Sequence, residues 1–303
     1  MNQEFEKRID TVIDKACIYK NEEMKNHTTF RVGGPADYYV TPRTREELAA
    51  VTGLCRELEV PFYVIGKGSN LLVGDKGYRG VMIQGVQELA GIRTEEEKIT
   101  AQAGASLAQI ASAALAEELS GLEFAAGIPG TVGGAVVMNA GAYGGEMKDV
   151  LESVTVLTQE GEILELPAEK LGLGYRTSII PSKGYIVLEA VMRLKKGNAG
   201  EIREKMQELR EQRVSKQPLE YPSAGSTFKR PEGHFAGKLI QDAGLKGFSV
   251  GGAQVSEKHS GFVINTGTAT ASDIKKLIEE VIRKVQEDFG VTLEPEVKQI
   301  GEF

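Results

Sequence analysis

Residues 127–144 read GIPGTVGGAVVMNAGAYG, with glycine at 127, 130, 133, 134, 141 and 144 and no charged residue at all. Glycine adopts backbone angles that other residues avoid, and it lets a second backbone or a ligand approach to contact distance. An uncharged, glycine-dense run inside a chain that is 26% charged is therefore a surface made of main-chain N–H and C=O groups. Such a surface suits a long ligand laid against backbone; close packing of strands at glycines is the competing reading.

A second stretch favours the ligand. VIGKGSNLLV, residues 64–73, sets Gly66, Gly68, Ser69, Asn70 and Leu71 directly after an apolar run that reads as a strand. Glycines there free N–H groups to face an anion such as a pyrophosphate. The spacing is not a dinucleotide fingerprint: the sixth position from Gly66 is Leu71, and no helical period follows. A GxxxxGK[ST] phosphate loop is absent as well. Two separated loops, one offering Ser69 and Asn70 and the other Thr131 and Asn139, supply many N–H donors and, apart from Lys67, no charge.

The rest of the chain sets bounds on what such loops can serve. Its 303 residues exceed one ordinary domain of ~100–200 residues, so two or three lobes are expected. No apolar run approaches the ~18 residues of a membrane span, and MNQEFEKRID lacks the apolar core of a secretory signal, which points to the cytoplasm. A net charge of −7 argues against nucleic acid or an anionic membrane as partner, while leaving room for a few local cations around a small anionic substrate. Nothing calls for an obligate protein partner or a metal. Cys17 and Cys55 fall on apolar helix faces, as buried thiols do.

Read along the chain, Phe5, Ile9, Val12, Ile13 and Ala16 repeat at helical spacing. TREELAAVTGLCRELEV opens with a Thr44–Glu47 capping-box spacing and puts Leu48, Val51, Cys55 and Leu58 on one face. With PFYVIG, and with ADYYV also extended, it forms a strand–helix–strand arrangement. SLAQIASAALAEELSG has a Ser106 cap, an apolar face of Leu107, Ile110, Ala114 and Leu115, and a glycine stop at Gly121. SVTVLTQEGEILELP reads as two strands about Glu160-Gly161, and YIVLEAVMRL as another. A charged amphipathic helix is expected from Gly200 to about Arg213, before the polar passage VSKQPLEYPSAGS into a new lobe. FVIN, a helix from Ser272 stopped at Gly290, and a final strand around LEPEVKQI complete an α+β pattern with mixed sheets.

Five motifs in order, VIGKGSNLLV, GLEFAAGIPGTVGGAVVMNAGAYG, YRTS, PSAGSTFKRP and LEPEV, resemble those of the UDP-N-acetylenolpyruvoylglucosamine reductase family, flavoenzymes of bacterial wall synthesis. The resemblance runs from about Asn26 to Ile300. It implies a non-Rossmann FAD-binding fold of the vanillyl-alcohol oxidase type in two subdomains, residues 1–90 and 91–200. A substrate-binding α+β lobe, 201–303, would follow, with the last strand able to return to the first subdomain. It also implies that NADPH reduces FAD and that the flavin passes hydride to the enolpyruvyl ether of a nucleotide sugar. His27, His234 and His259 lie outside both loops, so the FAD is expected to be non-covalent.

By resemblance, the cofactor would be held by Gly66, Gly68, Ser69, Asn70, Leu71, Gly127, Ile128, Pro129, Gly130, Thr131, Gly133, Gly134, Ala135, Asn139 and Arg213. Arg176 in YRTS matches the arginine that stabilises the enolate, Ser226 in AGSTF the proton donor, and Glu296 in LEPEV the third catalytic position. Leu293, Pro295 and Val297 alternate with Glu294 and Glu296, so both acids can also line a solvated strand face. Lys216, His259 and Arg230 match substrate contacts, although Arg230 stands where many relatives have asparagine. The short chain between Arg176 and Ser226 resembles the subclass without an inserted tyrosine loop. Two other readings share the loops: a different FAD oxidoreductase of the same fold, and a non-redox nucleotide-sugar binding protein.

Overall fold

The computed structural model describes residues 3–85 and 88–303. Contacts divide the chain into two units that interleave in sequence. The first takes the chain up to Tyr19, then Tyr39–Lys67 and Val81–Arg213; the second takes Lys20–Tyr38, Gly68–Gly80 and Val214–Phe303.

In the first unit, helix α1 (Gln3–Val12) buries Phe5 and Ile9. It stops before the apolar period does, because the Asp14 carboxylate accepts from the Ala16 N–H at 2.9 Å and caps a separate turn, Lys15–Cys17. Ala16 is thereby turned out to solvent, while Ile13 and Cys17 are buried. Helix α2 (Arg45–Glu57) packs on α1. The Thr44 hydroxyl accepts from the Glu47 N–H at 3.1 Å, but the Glu47 carboxylate accepts from Arg43, so the reciprocal half of the capping box goes one residue upstream. Leu54 fills the buried face where Leu58 was expected, and Leu58 is only half-buried. Burial pushes the Cys55 thiol up to about 12, as an inert core thiol requires.

Two sheets follow. One has the order Ile18–Glu23, Pro35–Val40, Tyr78–Gln84, Phe62–Ile65, and its last two strands run parallel, from Phe62 opposite Val81 to Ile65 opposite Gln84. The strands flanking α2 are thus separated by Tyr78–Gln84. The other is wholly antiparallel, ordered Ile163–Pro167, Leu151–Leu157, Ile186–Arg193, Lys98–Gln102, Ile92–Glu95. Gly161, at φ +87°, makes the expected hairpin between Leu151–Leu157 and Ile163–Pro167.

Helix α3 (Leu107–Ala116) has a complete capping box between Ser106 and Gln109. It ends five residues before Gly121, because Glu118 takes a left-handed φ of 56° and Leu119–Ser120 pairs with Lys195–Lys196. Helix α4 (Val132–Met138) lies inside the glycine-rich stretch itself, with Thr131 as its cap. Both pack against the five-stranded sheet, around a core that includes Ile99, Leu107, Ile110, Val132, Val136, Val154 and Met192.

Helix α5 (Ala199–Lys216) runs three residues beyond Arg213 and buries only Ile202 and Leu209, so it is charged around most of its circumference instead of amphipathic. The second unit holds an antiparallel sheet ordered Ser223–Ser226, Phe262–Asn265, Ala253–Val255, Ser249–Val250, with α6 (Ala236–Asp242) and α7 (Ala271–Phe289). Helix α7 buries Ile274, Leu277, Ile278, Val281 and Val285, each side chain contributing about 1.5–3 kcal/mol of transfer free energy.

Thr270 and Asp273 form a complete capping box for α7, and the hydrogen bond from the Thr270 backbone holds the Asp273 carboxyl below its usual range. The Asp75 carboxylate satisfies two further N–H groups, of Ala271 at 2.7 Å and Ser272 at 2.8 Å. Gly290, at φ 69°, ends the helix as expected. The expected closing strand is short, Lys298–Ile300, and pairs in parallel with Leu71–Val73.

Candidate active site

In the first unit the two glycine-rich loops meet. Gly66 follows the strand Phe62–Ile65, and a Cβ added there would lie 2.4 Å from the Thr131 hydroxyl oxygen, so only glycine allows the contact. The Gln84 amide donates to the Gly66 carbonyl at 2.6 Å, and the Tyr39 hydroxyl donates to Gln84 in turn. Neither Tyr39 nor Gln84 was a sequence candidate. A polar residue closing the buried strand run Val81–Ile83 carries no signal that separates it from an ordinary strand end.

Thr131 is held by its task as cap: its side chain accepts from the Gly134 N–H at 3.3 Å and its carbonyl from Ala135 at 2.8 Å. Gly133 packs on Ala103, where a Cβ would come to 3.0 Å of the alanine methyl. Ile128 and Gly130 bond locally around Pro129, Ile128 N–H to Ala125 and Gly130 N–H to Ile128. Arg213 lies with its Cδ 3.2 Å from where a Gly127 Cβ would stand, and burial draws its pKa below the usual arginine value. A guanidinium stays cationic even so.

Arg176 sits in a four-residue turn, Gly174–Thr177, whose ends exchange backbone hydrogen bonds of 3.2 and 3.3 Å. Its φ is 55°, unusual for a long side chain. Its guanidinium stacks 5.2 Å from the Tyr175 ring centroid and donates to the Gly141 carbonyl at 3.3 Å. Asn139, at φ 41°, is completely buried, and its amide is engaged by protein groups: Gly174 O, Glu146 and the Lys148 N–H.

The second unit gathers the other group. Gly68 has φ +60°, and a Cβ on it would meet the His27 carbonyl oxygen at 2.1 Å. His27, distant from this loop in sequence, is thus its neighbour in space, with Nε2 paired to Glu22 at 2.9 Å. Among the described residues, Lys67, Gly68, Ser69 and Asn70 donate no backbone N–H to another residue. Leu71 turns inward and is buried. The Asn70 amide donates to the Glu296 carbonyl at 3.2 Å, and the Glu296 N–H donates to Thr227 O at 2.8 Å, which brings Glu296 beside the residue after Ser226.

Ser226 ends its strand opposite Phe262 after a register shift from Ser223, with Gly225 at φ +76°. A bulge of this kind re-aims a side chain. Ser226 is exposed while Thr227 is fully buried and receives the Val263 N–H on its hydroxyl. His259 packs edge-on against Phe262 at 4.9 Å, and its Nδ1 accepts from the Gly261 N–H at 3.1 Å. Burial lowers its pKa below the ordinary histidine value, favouring the neutral ring.

The two glutamates of LEPEV part company. Glu294 is 69% exposed and ion-paired with Lys229, whereas Glu296 is half-buried. Arg230 stacks on the Phe235 ring at 4.0 Å, and Lys216 is exposed at the end of α5. Gln217 Oε1 and Ser260 Oγ, neither of them a sequence candidate, are buried without a hydrogen-bond partner among the described residues. They directly follow Lys216 and His259, and such atoms mark places where a ligand or water completes the bonding. No described cluster of three or more His, Cys, Asp or Glu is placed to hold a metal, and no described helix is long and apolar enough to cross a membrane.

The residues fit FAD by this test: uncharged backbone, glycines at points of close approach, and a run of free N–H donors for phosphate. Comparison with known proteins agrees. The FAD binding domain family matches residues 36–167, and the UDP-N-acetylenolpyruvoylglucosamine reductase C-terminal domain family matches 217–300. The chain is 54% identical over 295 residues to the UDP-N-acetylenolpyruvoylglucosamine reductase of Caldanaerobacter subterraneus subsp. tengcongensis, covering 97% of each. The crystal structure of UDP-N-acetylenolpyruvylglucosamine reductase from Thermus caldophilus is similar at 40% identity and a TM-score of 0.80, covering 92% of this chain and 98% of that one. A glucose dehydrogenase, Phl p 4.0202, shares the fold alone, at 14% identity and a TM-score of 0.50 over 65% of this chain and 45% of its own.

Proposed function

From the chain's membership of the UDP-N-acetylenolpyruvoylglucosamine reductase family, an FAD-dependent oxidoreductase family of peptidoglycan synthesis, we infer how its own residues divide the work. The reaction reduces the enolpyruvyl ether of UDP-N-acetylglucosamine to UDP-N-acetylmuramate. FAD, when bound, takes hydride from NADPH and supplies it to the enolpyruvyl carbon. In cells this work belongs to the cytoplasm.

The observation that carries the reading is the contact of Gly66 with Thr131, which builds one backbone surface from two loops 65 positions apart (131 minus 66). Gly127–Ala135 and Gly66 would lie along the cofactor, the free N–H groups of Lys67–Asn70 would face its phosphates, and Arg213 would add a fixed positive charge. Arg176 would meet the carboxylate whose neighbouring carbon gains electron density, its planar fork matching two oxygens. Ser226 would give the proton to that carbon, and Glu296 would assist by sharing a proton directly or through water. Lys216, Arg230 and His259, with Gln217 and Ser260 beside them, would contact the nucleotide sugar.

An anaerobic absorption experiment tests the whole reading. The FAD-loaded protein should bleach with NADPH and regain its colour with the enolpyruvyl nucleotide sugar. Recovery with oxygen alone as fast as with the sugar would favour an oxidase of the same fold.

Gly66→Ala forces a methyl against Thr131. Overpacking of this kind costs typically 1–3 kcal/mol, so FAD affinity should fall by roughly tenfold or more. Flavin fluorescence during titration of the apoprotein reads it directly. Unchanged affinity would remove this contact from the cofactor surface.

A further inference from the structure

We propose that Asn139 is a positioning residue for Arg176, tying the turn that carries the arginine to the end of the glycine-rich stretch. The inference rests on the role given to Arg176 above.

The geometry is specific. Asn139 closes α4 in the left-handed conformation, φ 41° and ψ 58°, and is 0% exposed. Its amide nitrogen donates to the Gly174 carbonyl at 3.0 Å, the first residue of the Arg176 turn. The same nitrogen donates to Glu146 at 2.7 Å, and its oxygen accepts from the Lys148 N–H at 2.9 Å. Those two bonds fix the far strand of a small hairpin in which Glu146 pairs with Gly141. Gly141 supplies the carbonyl that the Arg176 guanidinium donates to.

One side chain therefore anchors both the backbone that carries Arg176 and the hairpin that receives its guanidinium. Ser178 adds a second fastening, its hydroxyl donating to the Val137 carbonyl at 2.8 Å. Without Asn139 the turn keeps that fastening and its own hydrogen bonds, so it loosens without leaving. A guanidinium placed loosely by a fraction of an ångström still binds a carboxylate, but it stabilises a developing charge less well.

The substitution that isolates this is Asn139→Gly, because glycine takes the left-handed conformation without strain and only the side-chain bonds are lost. Asn139→Asp is the second variant: it keeps the acceptor for Lys148 and replaces the donor by an oxygen facing Gly174 O and Glu146. Each half-reaction is followed by rapid mixing under anaerobic conditions, in the parent protein and with Arg176→Ala.

For Asn139→Gly loaded with FAD, we expect reoxidation by the enolpyruvyl sugar to slow roughly 10- to 100-fold, well beyond any change in bleaching by NADPH. Combined with Arg176→Ala, it should add less than about twofold, since its effect passes through the arginine. Asn139→Asp should slow reoxidation at least as much. If Asn139→Gly slows reoxidation equally with and without Arg176, or slows both half-reactions alike, the positioning role is wrong while the role of Arg176 stands. If Arg176→Ala alone leaves reoxidation unchanged, the role of Arg176 falls, and this inference with it.

Discussion

Replacing Ser226 by alanine should leave bleaching by NADPH at its normal rate and slow recovery of the flavin colour by the enolpyruvyl sugar ~10²- to 10⁴-fold, the range expected on losing a general acid. The asymmetry follows from where the proton is needed. Hydride transfer from NADPH to flavin asks nothing of a serine, whereas saturating the enolpyruvyl double bond requires a proton at the carbon beside the carboxylate. An ordinary hydroxyl is a weak acid, so its use requires a strongly basic partner, and the enolate-like species provides one.

Substitution should disturb little else. The Ser226 side chain is exposed, the bulge is set by Gly225 and by the pairing to Phe262, and Thr227 beside it is locked by the Val263 N–H. Stopped-flow absorbance in the flavin band separates the two steps. Equal slowing of both would remove the proton-donor role.

Arg176→Ala should cost roughly 3–4 kcal/mol in the same half-reaction, as loss of a fixed donor at a developing oxyanion does. The left-handed φ of 55° is equally awkward for arginine and alanine, so the exchange changes the guanidinium more than the turn. The turn keeps its hydrogen bonds from Asn139 and Ser178. Single-turnover rates at saturating sugar, set beside the sugar's dissociation constant, decide the matter. A loss confined to affinity would make Arg176 a binding residue only.

Features fixed within a few residues of one another were legible in the sequence. Ser106 caps its helix through a side chain whose partner is three residues away, and Gly290 and Gly161 take the positive φ that only local chemistry demands. The helix inside the glycine stretch was not legible, because Gly133 and Gly134 have the poorest intrinsic helical preference apart from proline. Tertiary contacts override it: the Gly133 N–H bonds Ala103, and Val132 and Val136 are buried in the core.

The end of α3 was misplaced for the same kind of reason. Pairing of Leu119–Ser120 with Lys195–Lys196, remote in sequence, decided it. For the site, motifs singled out Arg176, Ser226 and Glu296 as candidates, but not the groups that hold them. Asn70 reaching Glu296 and Asn139 reaching Gly174 are contacts that no spacing rule announces.

The parallel pairing of Leu71–Val73 with Lys298–Ile300 bears on how the chain matures as it leaves the ribosome. A strand made early in translation must wait for one made almost last, and the Asp75 carboxylate waits for the start of α7. Loop closure over such a span is entropically slow. Lys20–Tyr38 and Gly68–Gly80 are therefore synthesised long before their packing partners, while the five-stranded sheet already has all its strands once Arg193 has emerged. Nascent chains stalled between these points would carry Phe30, Val32 and Leu72 uncovered, the kind of surface that chaperones bind.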